Sequence, residues 1–164
     1  MIDLPDVNSV EWKNLKKCDI GCGSGPNRPA KGFDAYCDIH DPNVVMAKPY
    51  WQCPMEEMTP FKDKEFDFAR CHHVIEHTQD PDKACRELIR IAKAGIISFP
   101  PPQAEMMYGR KDHNWYVFID RGRLLFVQKF HASLGIPRSV TRSELNVDFH
   151  WEGSFDWQVV RVDK

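Results

Sequence analysis

At 164 residues the chain is long enough for one domain with a full core, and short for a doubly wound sheet plus a separate substrate domain. Apolar residues at 42% and charged residues at 28% are ordinary globular values, and no apolar run approaches the roughly 18 residues of a membrane span. A net charge of -2 gives no general attraction to nucleic acid or to an anionic membrane.

In chain order, the N-terminal stretch Met1 to Asp6 has neither a basic start nor an apolar run, so no secretory signal is expected and the cytosol is the expected location. Leu15 to Ile20 is a short apolar run that ends at glycines, and Phe33 to Ile39 is a second that ends beside Asp38. Both suit parallel strands. Tyr50 to Cys53 reads as a weak third strand and Phe66 to Cys71 as a fourth. A helix follows, with Asp80 as its cap, Pro81 in its first turn, Ala84, Leu88, Ile91 and Ala92 at helical spacing, and Gly95 closing it. The run 95–99 is a fifth strand stopped by Pro100, Pro101 and Pro102, which remove ladder donors. Residues 103–119 read as irregular and aromatic-rich, and 123–129 as a strand. In 147–162, Val147, Phe149 and Trp151 alternate, Glu152-Gly153 turns, and Phe155, Trp157 and Val159 alternate again, the signature of a hairpin.

Six cysteines at 18, 22, 37, 53, 71 and 85 fall on these buried segments, so reduced core thiols are expected rather than a disulfide framework. The basic bias between Arg110 and Lys129 reads as a solvated face.

The chemistry begins at Asp19-Ile20-Gly21-Cys22-Gly23-Ser24-Gly25. Glycines directly after a strand let the backbone turn tightly and approach a ligand, since side chains there would collide with it. Taken alone the loop admits any nucleotide cofactor. Asp38 closes the next strand, where a carboxylate accepts both hydroxyls of a ribose. Only seven residues, 26–32, separate Gly25 from Phe33, too few and too proline-rich for a helix. Without a helix N-terminus to hold phosphate, a dinucleotide is disfavoured.

With His73-Val74-Ile75-Glu76-His77, the Pro60-Phe61 and Phe66-Asp67-Phe68 stretch, and the Asp80-Pro81 helix start with Arg86-Glu87-Leu88, the chain resembles the class I S-adenosylmethionine-dependent methyltransferases, in particular the small, type 11-like ones. The matching residues span about 15–101. The resemblance implies that Asp19, Gly21, Cys22, Gly23 and Gly25 line the methionine and sugar part of S-adenosylmethionine, that Asp38 holds the ribose, and that Met55 and Glu56 flank the adenine. It places His72 and His73 at the mouth of the cofactor cleft. Two departures stand out: the abbreviated crossover after Gly25, and Cys53-Pro54 where the family often has an acidic residue before the adenine-flanking hydrophobe.

His-x-x-Glu-His is also the signature of inverted zincin peptidases, with His73 and His77 as zinc ligands and Glu76 as general base. That chemistry needs one long helix, whereas the motif directly follows a strand, so no metal is expected. The place after the fourth strand holds Cys71-His72-His73-Val74 instead of the Asp/Asn-Pro-Pro-aromatic motif of nucleic-acid amino-methyltransferases, which disfavours a base as acceptor.

The expectation is a single domain over 1–164: an α/β, abbreviated Rossmann-like, mostly parallel methyltransferase sheet, with 15–101 as cofactor core and 102–164 as a substrate-side and β-hairpin extension. Methyl transfer is expected to a small-molecule acceptor, with a pocket built from Glu105, Tyr108, His113, Asn114 and Trp115, and with His73 and His113 as proton acceptors. A non-catalytic cofactor-binding or partner subunit is the alternative. Trp151, Phe155 and Trp157 are expected to bury against the sheet, with a homodimer through them as the other outcome.

Overall fold

A computed structural model describes residues 9–24, 29–129 and 146–162. Two sheets share one core. The larger has six strands in the order β3-β2-β1-β4-β5-β8, where β1 is Lys17–Ile20, β2 Ala35–Asp38, β3 Tyr50–Gln52, β4 Phe66–His72, β5 Ala92–Phe99 and β8 Val147–Glu152. The first five run parallel, and β8 closes the edge antiparallel to β5. The smaller sheet has the order β6-β7-β9, from Trp115–Asp120, Arg123–Gln128 and Trp157–Val160. This is the expected α/β class with a mainly parallel sheet and a β-rich C-terminal part.

β1 is central because all four of its residues are buried between β2 and β4, with Cys18 level with both Ala35 and Ala69. One face of the sheet packs on helix α2, Pro81–Ile91. Its start follows the sequence: the Asp80 carboxylate accepts from the Asp82 and Lys83 N–H groups, and Pro81 occupies the first turn. Leu88 and Ile91 are fully buried on its inner side, each contributing about 1.5–3 kcal/mol. On the other face lies α1, Val10–Asn14, which the sequence reading does not anticipate. Ser9 caps it, and Trp12 seats edge-on against Phe68 at 5.1 Å.

Three expectations are corrected. Gly95 does not close α2; the helix ends at Ile91 and Ala92 is already extended, with the Lys64 ammonium donating to the Ile89, Ala92 and Gly153 carbonyls. Gly95 sits inside β5 because a Cβ there would lie 2.4 Å from the Ala69 carbonyl oxygen and 2.9 Å from Trp151 Nε1. Residues 103–119 are not irregular: Pro102–Tyr108 forms α3, Pro102 serving as its first residue, and β6 follows. The 147–162 stretch is not a hairpin, since β8 joins the large sheet while β9 pairs parallel with β7 in the small one. The hairpin is β6–β7, turning at Arg121 and Gly122, both at positive φ as tight hairpin turns require.

Trp151 and Phe155 are buried and Trp157 packs on the same cluster, which runs from Cys18 and Ile20 through Ile97 and Phe99 to Leu124 and Phe126. All six cysteines are free and buried. No helix among the described residues is long and apolar enough to cross a membrane.

Candidate active site

The order of the parallel strands reverses between β1 and β4, and open α/β sheets bind ligands at that point, beyond the strand carboxyl ends. Four segments converge there. From β1 comes the glycine loop: Gly21 and Gly23 take φ of +68° and +73°, and the Gly21 and Cys22 N–H groups donate to the Cys37 carbonyl at 2.8 and 3.2 Å. From β2 comes Asp38, whose Oδ2 accepts the Gly23 N–H at 2.7 Å and whose Oδ1 accepts the Ile39 N–H at 2.7 Å. Each oxygen keeps a further lone pair for a ligand.

From β4 comes the histidine segment. His73 adopts φ +55°, a strained conformation for a residue with a side chain, and its N–H donates to the Ser98 carbonyl at 2.8 Å. Its ring reaches Glu76 Oε1 at 3.1 Å through Nδ1 and Asn146 Oδ1 at 2.7 Å through Nε2. Ile75–His77 is a single 3-10 turn. The fourth segment follows α3: Arg110 holds Asp112 through two hydrogen bonds of 2.8 and 2.7 Å, which keeps the Asp112 carboxyl far below its ordinary range.

Between these segments opens a cleft of about 400 Å³. The glycine loop and residues 38–40 form one side, His73, Val74 and His77 the floor, and Arg110 with Asp112 the opposite wall. A larger hollow of about 790 Å³ lies on the other face of the sheet beside Trp12 and Phe33. The chemistry-bearing side chains gather in the first, so the strand-end cleft is the candidate site.

The remaining candidates are distributed unevenly. Gly25 lies outside the described residues, as does the side chain of Tyr108. Asp19 is fully buried and turned from the cleft: Arg70 donates to it at 2.8 Å and the Ala30 N–H at 2.9 Å, and burial still raises its carboxyl above the ordinary value. It ties β1 to β4 and to the far end of the loop. The Cys22 side chain packs with Tyr36, Val45 and Ala47, and burial, with Asp38 and Asp19 nearby, pushes its thiol up to about 12. Met55 is buried against Cys71, and Glu56 accepts from the Thr78 hydroxyl and from the Gln79 N–H at 2.7 Å. Neither is among the residues lining the cleft, where Ile39 and His40 follow Asp38 along the wall.

His72 stands behind the cleft, edge-on to His73 at 4.6 Å, and burial with Arg70 and His73 nearby pushes its imidazole down to about 4. His113 is buried under the floor, its Nδ1 2.6 Å from Glu105 Oε2. Burial works against the Glu105 charge, but His113 and Lys129 together hold its carboxyl below the usual value. Asn114 clamps this region to the 3-10 turn, its N–H donating to the Glu76 carbonyl at 2.8 Å and its amide to the His77 carbonyl at 2.7 Å. Arg110, Asp112 and His77 were not anticipated in the cleft wall. The aromatic and titratable composition of 103–116 pointed to the region without singling them out.

Residues 18–99, half of the chain, match the family model described as a methyltransferase domain. The chain belongs to this methyltransferase domain family. Its cofactor is S-adenosylmethionine. Ajmaline N-methyltransferase of Rauvolfia serpentina is 29% identical over 109 residues, covering 57% of this chain and 37% of that protein. The chain therefore spans little more than a third of the length of the curated relative it matches. Among solved structures, a SAM-dependent methyltransferase of Thermotoga maritima described as a possible histamine N-methyltransferase is 25% identical, with 59% of this chain and 49% of that one covered and a TM-score of 0.46. A SAM-dependent methyltransferase of Archaeoglobus fulgidus is 20% identical, with 62% and 54% covered and a TM-score of 0.48.

The residues fit the cofactor. Asp38 has lone pairs to spare at the end of β2, where a ribose needs an acceptor, and the Asp38 and Asp112 carboxylates on the cleft lining suit a cationic sulfonium. The inverted zincin reading fails on geometry. It needs His73, Glu76 and His77 on one helix, and His73 lies outside a turn of only three residues.

Proposed function

We propose that the strand-end cleft binds S-adenosylmethionine and that the protein transfers its methyl group to a small-molecule acceptor. The observation that carries this is the meeting of Gly21, Asp38 and Val74-His77 in one cleft at the switch point of the sheet. When bound, the cofactor supplies an electrophilic methyl on a positively charged sulfur.

The chain's own residues then do three things. Asp38 accepts from the cofactor's hydroxyls while its bond to the Gly23 N–H keeps the loop shaped around the ligand. The loop's backbone closes on the cofactor without side chains in the way. On the acceptor side, His73 lines the cleft with both ring nitrogens committed to Glu76 and Asn146, so it shapes the acceptor pocket rather than taking a proton, and His113, set behind Glu76 and oriented by Glu105, positions the floor. Transfer from a sulfonium depends mainly on proximity and in-line orientation, so the rigid floor is the larger contribution.

The test is isothermal titration of the protein with S-adenosylmethionine, paired with turnover to S-adenosylhomocysteine across a panel of amine, phenol and thiol acceptors. Saturable binding that Asp38→Ala abolishes is expected, with turnover on at least one acceptor. Absence of binding at millimolar cofactor overturns the proposal.

A further inference from the structure

Beneath the cleft floor Glu76, His77 and His113 bring one potential ligand atom each to within 4.8 Å of one another. This set differs from the His-x-x-Glu-His reading, because His113 comes from a different segment of the chain and His73 is excluded. Three features mark it as more than a chance cluster.

Glu76 is fully buried, and its Oε2 has no hydrogen-bond partner among the described residues. A buried carboxylate oxygen left without a partner is destabilising, because its lost hydration is not replaced. Such a cost persists where another ligand supplies the missing contact.

The tautomers of both histidines are fixed in the sense a cation needs. His77 Nδ1 lies 3.0 Å from the Asp112 carbonyl oxygen, which only accepts, so Nδ1 carries the proton and Nε2 presents its lone pair. His113 Nδ1 lies 2.6 Å from Glu105, whose carboxylate is also held by Lys129, so its Nε2 faces Glu76. A carboxylate behind a ligating imidazole is the usual outer support of a metal site.

The spacing of the ligand atoms is close to what one ion needs. His113 Nε2 is 4.0 Å from Glu76 Oε1, beyond a hydrogen bond and within the span of a cation held about 2.0–2.2 Å from each. Tetrahedral bonds of that length put ligand atoms roughly 3.3 Å apart, so binding would draw Glu76 and His113 together by about 0.7 Å while the third-exposed His77 ring adjusts to complete the set.

We propose that Glu76, His77 and His113 form a binding site for a divalent transition metal of borderline softness, zinc being the first candidate, with a fourth position open toward the cleft through His77. Two imidazoles and one carboxylate suit zinc over magnesium or calcium, and an open fourth position makes the ion exchangeable with solvent. The site stands independently of the cofactor reading.

The experiment is dialysis of the purified protein against zinc followed by elemental analysis, with cobalt(II) as a spectroscopic substitute, on the parent, His77→Ala and Glu105→Gln. Circular dichroism controls for folding. One equivalent of zinc and visible cobalt bands are expected, with His77→Ala weakening binding at least tenfold and Glu105→Gln about 10–100-fold. Less than a tenth of an equivalent in the parent overturns the proposal. So do equal affinities in the parent and His77→Ala, or cobalt bands of thiolate character that survive in His77→Ala, which would put the ion on the cysteines. None of these readouts depends on methyl transfer.

Discussion

Gly21 lies against Val74 so closely that a Cβ on the glycine would fall 2.0 Å from Val74 Cγ2. The loop that opens the cleft and the segment that floors it are therefore one packed unit, although they lie more than fifty residues apart in sequence.

Gly21→Ala consequently meets two obstacles, the left-handed backbone at φ +68° and the collision with Val74. The expected loss is about 2–5 kcal/mol of stability, summing strain and overpacking. Gly32 shares the positive φ, at +80°, but a Cβ there meets nothing within 4 Å. Gly32→Ala should cost only about 1–2 kcal/mol. Urea unfolding of both variants checks the contrast, and equal losses would show that Val74 does not matter.

Asp38 both shapes the loop and faces the ligand, so its two variants should separate. Asp38→Asn retains one acceptor oxygen and should weaken S-adenosylmethionine binding roughly 10–50-fold, or about 1.4–2.3 kcal/mol. Asp38→Ala also leaves the Gly23 N–H without its acceptor and should abolish measurable binding. Calorimetric titration reads both.

A pH dependence follows from His72, whose folded pKa of about 4 lies below the ordinary imidazole value. Between the two the unfolded chain binds more protons, so stability rises with pH. The contribution of the neutral ring is complete above about 6.5 and is lost as pH falls through about 4. Arg70 and His73 oppose the charge and Asp148 and Glu76 favour it. For a partly solvated ring the effect is about 1 kcal/mol after screening. Denaturation at pH 7 and 4.5 should show His72→Asn losing less stability on acidification than the parent.

Gly95 tests the sheet. Gly95→Ala sets a methyl against the Ala69 carbonyl and the Trp151 indole, and should cost about 1–3 kcal/mol. Trp151 emission should shift as its ring is displaced, whereas a glycine that merely ended a helix would leave Trp151 untouched.

The same residue shows where sequence reasoning reaches its range. Asp80, Pro81 and the apolar spacing through Ile91 are local signals, and they place the start and the buried face of α2, though not its end. Gly95 resembles a helix stop by its position alone; what demands glycine there is the Ala69 carbonyl, twenty-six residues back, together with Trp151, fifty-six residues on, and local pattern carries no trace of either. Trp157 and Val159 alternate as a strand should, but alternation does not say which sheet accepts the strand. In the site, Gly21, Gly23, Asp38 and His73 were legible because glycine loops and strand-end acids carry their meaning in sequence. Arg110 and Asp112 were not, and Glu105 and His113 were named for the pocket without their pairing, since α3 begins in a proline run that reads as a stop. Met55 and Glu56 sit in the right part of the chain, yet one is core and the other holds Thr78 and Gln79.

The switch of sheets between β8 and β9 has a further consequence. β8 covers the open flank of β5 and β9 that of β7, and only residues 153–156 join them. Exposed strand flanks recruit other chains, so this one short segment guards the molecule against self-association on two fronts. Clipping beyond Val160 should be harmless. Removal of everything after Gly153 would bare β7 alone, and removal from Asn146 onward would bare both, leaving two strand flanks free to stack edge to edge.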